Sequence, residues 1–542
     1  MPGNNWCQGS SGASDCKQEY ASPLRDIIFI LITLATFTLA AFAQTDSDSF
    51  TVHFRKGQQA AALKHYEQAV VEFREALRID ANSTEARANL GLMYYLSGKY
   101  DAAIIELNRV AQISANLLPA QLFLGISYLK AGHPERALGP LKRAIEIDPG
   151  NPEALRALFT CQLGLEDYQN ATRTLRAISR SGDPSDGHYQ AAHGYFEMAA
   201  RLTEMLAQND RTSGWAHRLA ADLAADRRAW TEAIDEYRKA ITANPAMPEV
   251  RASLASALRE AGKPEEAEAQ TVLGKPTKSA DAGDKPGTGR ALFAANRPAE
   301  AADVFASALQ KGDTGAEVKY YLIRIYTLMA ADNFTFLINS TPESGRTHEL
   351  RADLAALRRD FPNAEAEYDI AARQLPEDIE IREKLGEAEM ESGRMDAARS
   401  DLERALKLSD GNGRAHFMLG RVLLARDETE AAIAELKTAV RYSPNLLQAR
   451  ALLGNAYIRV NKPALAIPEL KRALKLDYYG DLHFLLYKAC LATGDTELAR
   501  EALSVSKAMR KKTVNADAAK LGIEAADSTS GTDLESKTGP AK

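Results

Sequence analysis

The chain has 542 residues, of which 45% are hydrophobic and 26% charged, and its formal net charge is -6. That balance belongs to a folded body and excludes a wholly disordered chain. The 67 Lys and Arg are outnumbered by 73 Asp and Glu, which argues against a nucleic-acid partner, since that requires clustered cations.

Residues 1–23 are polar, and Arg25 precedes an uncharged apolar run from Ile27 to Ala43. Ala41-Phe42-Ala43 before Gln44 has the small-x-small form of a signal cleavage site. The expectation is an N-terminal extension and signal peptide over 1–43, cut between Ala43 and Gln44. The protein would then be periplasmic or secreted. The rival is a single-pass anchor with the rest of the chain outside the cytoplasm, the only membrane association expected. The run is shorter than the roughly 20 apolar residues a span prefers.

A short lead over 44–49 is followed by a pattern seen most clearly from Leu118 to Asn151. Leu124, Gly125 and Tyr128 share one face of a predicted helix that Gly132 ends. Pro134 opens a second helix, where its missing N–H costs nothing. Ala137, Leu141 and Ala144 recur at helical spacing, and Pro149 stops it. The same 34-residue frame starts at Phe50, Thr84, Leu118 and Pro152. Its eighth position carries Gly57, Gly91 and Gly125, and its twentieth carries Ala69, Ala103, Ala137 and Ala171.

This spacing resembles the tetratricopeptide repeat, with its L-G-x2-Y, A-x3-F and closing Pro. The resemblance implies an all-α fold, a right-handed superhelical solenoid of stacked helix-turn-helix repeats. It also implies a non-enzymatic scaffold that takes proteins or peptides in its concave groove. Together with the signal segment, it suggests an exported, bacterial-type repeat protein. An accessory subunit of a cell-envelope machine, in polysaccharide export or outer-membrane assembly, is the alternative role.

The phase breaks after Asp183-Pro184, where His188 to Ala207 reads as one longer helix, and it returns at Gly214 and Pro248. Residues 274–289 have no apolar period and read as a flexible linker or long loop. A weak repeat with Ala301, Phe305 and Ala308 follows, then a second irregular helix from Ala316 to Asn339. Phase returns at Gly345, Ile379, Gly413 and Leu447, and a last helix pair runs from Gly480 to Lys512. Its basic end, Lys507 to Lys512, suits a helix C-terminus. Residues 513–542 read as a disordered tail.

A larger repeat lies above the small one. At a shift of 131, Tyr189 meets Tyr320, Tyr195 meets Tyr326, and Asp222-Leu223-Ala224-Ala225 meets Asp353-Leu354-Ala355-Ala356. The out-of-phase helices match too, so a block has been duplicated. The expected division is a first solenoid block over 50–273, the linker at 274–289, and a second block over 290–512.

No residue constellation points to chemistry. His53, His217, His348, His416 and His483 share the fourth position of their repeats, which suggests packing. His348-Glu349 opens an H-E-x-x-H motif, but Ala352 stands where the second His is needed. No phosphate loop or nucleophile elbow occurs. Cys161 and Cys490 lie in distant repeats, so no disulfide joins them. No catalytic, cofactor or metal site is expected.

The resemblance assigns the groove to positions 2, 5, 9, 12 and 13 of each repeat. In the first repeats these include Phe54, Leu92, Tyr95, Leu96, Leu122, Ile126 and Leu129, an apolar stripe. It is either a groove wall or a surface buried by the superhelix or by the lead at 44–49. Later repeats place Glu380, Glu383, Glu387 and Glu391 beside Arg414, Phe417 and Arg421, then Asn455 and Arg459. Those charges either select a partner or pair with each other.

Overall fold

The computed structural model describes residues 46–247, 249–273 and 285–520. The signal segment, the Ala43–Gln44 junction and positions 274–284 of the expected linker lie outside the described residues. Among the described residues there are 26 α-helices, one short 3-10 turn and no strand.

The first repeats are α1 (Asp46–Ala62) with α2 (Tyr66–Ile79), α3 (Thr84–Leu96) with α4 (Tyr100–Ile113), α5 (Leu118–Lys130) with α6 (Pro134–Ile147), and α7 (Pro152–Gly164) with α8 (Tyr168–Ile178). Local chemistry sets their ends. Gly98 and Gly132 turn the chain at φ +74° and +82°, a backbone region that carries no steric cost only for glycine. The Ser83 and Asn151 side chains accept from the backbone N–H of Ala86 and Ala154, at 3.2 and 3.0 Å, and so cap α3 and α7. Gly125 lets α5 and α6 approach: a Cβ there would lie 2.5 Å from Leu141 Cγ.

A polar bond recurs between positions 4 and 23 of the repeat. His53, His217 and His416 meet Glu72, Glu236 and Glu435 at 2.8, 2.7 and 2.6 Å. Arg87 and Arg450 donate to Glu106 and Glu469 at the same spacing. These three histidines therefore tie the two helices of a repeat together, while His483 instead bonds Asp477 ahead of its helix at 2.6 Å. Cys161 and Cys490 are buried and unpaired.

The chain divides into two compact units, one ending at Leu357 and the other running on from Arg358. The expected boundary at 274–289 falls inside the first unit. Beyond α8 that unit contains α9 (Pro184–Asn209), α10 (Gly214–Asp226), α11 (Trp230–Ala243), α12 (Val250–Glu260) and α13 (Pro264–Leu273). After the linker come α14 (Lys285–Ala294), α15 (Pro298–Gln310), α16 (Ala316–Ser340) and α17 (Gly345–Leu357). The expected linker's last residues thus belong to a helix. One continuous core runs from Leu155 through Tyr195, Leu254 and Phe305 to Ala330, so segments on both sides of 274–284 fold together.

Packing within this unit follows the duplication. The long helices α9 and α16, equivalent at a shift of 131, cross antiparallel: His188 meets Asn333 at 2.7 Å, and Tyr195 stacks on Tyr326 at 6.0 Å. Tyr195 and Tyr326 are themselves equivalent, so the two halves are related by a local pseudo-two-fold. The equivalent helices α8 and α15 also meet, through Arg176 and Asp303 at 3.1 Å.

The repeats beyond the crossing are exchanged. α10 follows α9 but packs on the first half of α16, where Tyr320 donates to Asp222 at 2.5 Å and Trp215 lies 5.2 Å from the Tyr320 ring. α17 packs both on the end of α16, where Leu337 meets Leu350, and on the first half of α9, where Tyr189 donates to Glu349 at 2.6 Å and to Asp353 at 3.4 Å.

The second unit is a regular stack: α18 (Phe361–Gln374), α19 (Ile379–Glu391), α20 (Met395–Leu408), α21 (Gly413–Ala425), α22 (Thr429–Tyr442), α23 (Leu447–Arg459), α24 (Pro463–Ala473), α25 (Asp481–Thr493) and α26 (Thr496–Lys520). The basic run Lys507–Lys512 lies inside α26 and not at its end. The helix also takes in the first eight residues of the expected tail, and 521–542 lie outside the described residues.

Candidate partner-binding groove

Each expected groove residue can be placed. In the first unit, Phe54, Leu92, Tyr95, Leu122 and Ile126 are buried, and Leu96 and Leu129 are half-buried. Phe54 stacks on Phe50 and meets Phe73 edge-on, each at 5.6 Å. Tyr95 packs 5.3 Å from Phe123 and 6.0 Å from Tyr100. All five buried residues belong to one hydrophobic core with Phe73, Leu107 and Leu141. Of the two readings of the stripe, these five side chains follow the buried one: they are covered, as apolar surface of this extent is driven to be.

In the second unit the charges satisfy one another. Glu383 is buried, accepting from Asn412 Nδ2 at 2.5 Å with Arg414 Nε at 3.3 Å. Arg421 bridges Glu387 and Glu391, each at 3.3 Å, and lies 6.0 Å over the Phe417 ring. Glu380 pairs with Lys384 at 3.3 Å, and Arg459 lies 3.9 Å from Asp427. Asn455 is half-buried. The acidic and basic groups of α19 and α21 thus meet across adjacent first helices. The Arg414 side chain keeps 63% of its surface and Arg459 keeps 47%, so the basic side of this wall faces solvent.

Two polar clusters fall on groove positions beyond the residues expected there: Glu153 and Arg346 at position 2, Arg156 and Glu349 at position 5, and Asp222 and Asp353 at position 9 of their repeats. At one seam of the exchanged repeats, Arg346 binds Asp186 at 2.8 Å and Glu349 at 2.7 Å, with its guanidinium 5.0 Å over Tyr189. Arg156, paired with Glu153, reaches Asp186 at 3.4 Å. At the other seam, Asp222 accepts from both Tyr237 and Tyr320, and Lys319 binds Asp210 at 2.7 Å. The signal for them was present, since Tyr189/Tyr320 and Asp222/Asp353 are matched pairs of the 131-residue duplication. These clusters are consumed in joining helices.

Another buried acid stands apart. Glu389 of α19 is 4% exposed, and its Oε2 has no hydrogen-bond partner among the described residues. Burial first, then the carboxylates of Asp401 and Glu365, push its pKa up to about 7 against relief from Arg394.

Comparison with known proteins finds tetratricopeptide repeats at residues 128–194 and 389–456 in one form, and at 48–117, 218–274 and 452–510 in another. Similar solved structures include MamA from Desulfovibrio magneticus, 22% identical, covering 31% of this chain and 96% of that one at a TM-score of 0.29. YrrB, described as a TPR protein with an unusual peptide-binding site, is 22% identical over 35% of this chain and 97% of its own, at 0.29. The APC/C hetero-tetramer Cut9-Hcn1 is 16% identical over 88% of this chain and 96% of that one, at 0.32. Among curated proteins, none matches this chain.

Proposed function

We propose that this chain, a tetratricopeptide-repeat protein, is a non-enzymatic scaffold that holds proteins or peptides along the concave side of its first helices. The observation that carries the reading is the partly open wall of α21 and α23, where Phe417, Arg421, Ala451 and Asn455 at the fifth and ninth positions are all half-buried. In the first unit Leu96 and Leu129 are half-buried at the edge of the covered stripe, which suits an apolar extended or helical segment. A preformed wall of stacked repeats lowers the ordering cost of binding. The second unit presents, on its own surface, the basic and aromatic side chains of Arg414, Phe417, Arg421 and Arg459, which tune selectivity more than strength.

The export reading belongs to this proposal. Arg25, the apolar run 27–43 and Ala41-Phe42-Ala43 support a periplasmic or secreted scaffold beginning at Gln44, and a cell-envelope assembly is the setting such a scaffold would serve. N-terminal sequencing of exported protein tests the first part.

Photo-cross-linking tests the groove. A benzophenone amino acid is placed at Leu129 or Arg414 on the concave side, and at Val71, 58% exposed on a second helix. Capture of partner from an envelope fraction at the first two sites and not at Val71 supports the reading. Capture only at Val71 refutes it and moves binding to the outer face.

A further inference from the structure

Charge is spread unevenly along the chain. Asp and Glu outnumber Lys and Arg in the whole sequence, 73 to 67, yet residues 429–512 hold 14 Lys and Arg against 8 Asp and Glu. Much of that surplus collects on the outer face of the second helices. In α22 the side chains of Ala432, Leu436 and Ala439 are buried against the stack, and in α24 those of Ala466, Leu470 and Ala473. The opposite face presents Lys437 and Arg441, then Lys471, Arg472 and Lys475, all exposed. Lys437 and Lys471 hold one position of the repeat, and Arg441 and Lys475 another, so stacking sets them in two rows. Lys507 and Lys511 are exposed on α26, the next second helix.

These cations have no carboxylate partner. The ion pairs that Lys and Arg form in this stretch use Arg450, Arg459 and Arg510 instead, and none of the exposed cations just named is paired with an acid among the described residues. At the same repeat positions earlier in the chain, Arg78 is held by Glu75 at 3.0 Å, Arg238 by Glu266 at 2.7 Å and Arg143 by Glu146 at 2.6 Å. Arg74 of α2 and Lys142 of α6 lack a partner too, but those two second helices are not adjacent. Aromatic exposure gathers at the same place. Tyr442 ends α22 beside Arg441, and Tyr478 and Tyr479 follow the turn that carries Lys475; the three are 46, 55 and 62% exposed. The other exposed aromatic ring among the described residues is Phe196, in the first unit.

We propose that this outer face of the second unit docks on an anionic phospholipid surface. Charge complementarity selects the partner. The cations spread over three adjacent second helices, about 20 Å across at roughly 10 Å per helix, which suits a plane of phosphates better than one extended peptide. Tyrosine suits the same boundary, with its ring toward the acyl chains and its hydroxyl among the headgroups. No helix among the described residues is long and apolar enough to cross a membrane, and the contact proposed is peripheral. It is electrostatic, so it fades as salt rises. The face is separate from the first helices that carry Arg414, Phe417 and Arg421, and the inference does not rest on the groove reading.

The test is sedimentation of the full chain with phosphatidylcholine vesicles, with and without phosphatidylglycerol. Binding to phosphatidylcholine alone measures any contribution of the apolar run 27–43, which is the same in every variant. The gain on adding phosphatidylglycerol is the quantity read. Lys471→Glu with Lys475→Glu lowers that gain at least about tenfold at low salt. Arg74→Glu with Lys142→Glu makes the same change in net charge and lowers it less than about twofold, because those cations lie beyond a Debye length from the face. Tyr479→Ala weakens binding and leaves its salt dependence unchanged. Circular dichroism of each variant matches the parent. Equal losses in the two charge variants would reduce the effect to net charge and overturn the proposal. So would the absence of any gain with phosphatidylglycerol. Capture of polyglutamate in place of vesicles would overturn it as well and give the face to an acidic polypeptide.

Discussion

Replacing Glu389 with Gln should stabilise the second unit above neutral pH and leave it nearly unchanged in acid. The Glu389 carboxyl is buried, one oxygen has no partner, and Asp401, Glu365 and Asp369 surround it with like charge. The nearby cation, Arg394, is already bonded to Glu365. Its pKa is pushed from 4.5 to about 7. Because the folded value is the higher one, the native state holds a proton that the unfolded chain has released between pH 4.5 and 7. Stability therefore falls as pH rises through that window and levels off above it. At about 1.4 kcal/mol per pKa unit, the ionised side chain costs on the order of 3 kcal/mol at pH 8 and under about 1 at pH 5. Gln keeps the shape and loses the charge. Urea unfolding followed by circular dichroism, with amide exchange in α19 to assign the transition, measures both proteins at both pH values. The difference between variant and parent cancels every other titrating group. A Gln variant with the same gain at pH 5 as at pH 8, or no gain at pH 8, would refute the reasoning.

Two further outcomes are expected. Gly125→Leu drives a side chain into Leu141, whose Cγ a bare Cβ would already approach to 2.5 Å. An overpacking loss of roughly 1–3 kcal/mol follows, read as a lower urea midpoint for the first unit, and an unchanged midpoint would remove α5 from this frame. A protease site inserted within 274–284 should cut the chain without parting it, because α8 and α9 share one core with α15 and α16. Gel filtration of the nicked protein in native buffer should show one peak containing both fragments, and two peaks would refute the shared core.

The repeat frame was legible because it is local. Gly125, Ala137 and Leu141 sit where two helices of one repeat must touch, and 34-residue spacing carries that information whatever surrounds it. The out-of-phase helices were legible too: the expected 188–207 and 316–339 became Pro184–Asn209 and Ala316–Ser340. Their pairing was not. The matches of Tyr195 with Tyr326 and of Asp222 with Asp353 say that two blocks are alike, and likeness does not say that equivalents meet. The unit boundary was misplaced for that reason, since a Gly- and Pro-rich stretch marks a chain connection and not the edge of a core. The groove residues divide by burial. Leu122 and Phe417 hold the same repeat position, yet one is buried and the other half-buried, because exposure depends on what lies across the groove. The charges on α19 and α21 were legible as opposites, and proximity paired them.

The exchange of repeats at the α9–α16 crossing has a kinetic consequence. An ordinary repeat array touches only its neighbours, so it frays from its ends and can begin folding anywhere. Here α10 cannot dock on α16 until α16 exists, and α17 also docks on α9, a helix that ends at Asn209, far upstream of Gly345. Loop closure over such distances must be met before the contacts reward it, which slows folding. On a ribosome, α10 would emerge before the α16 surface it packs against has been made, and the first unit would have to wait for its own far half.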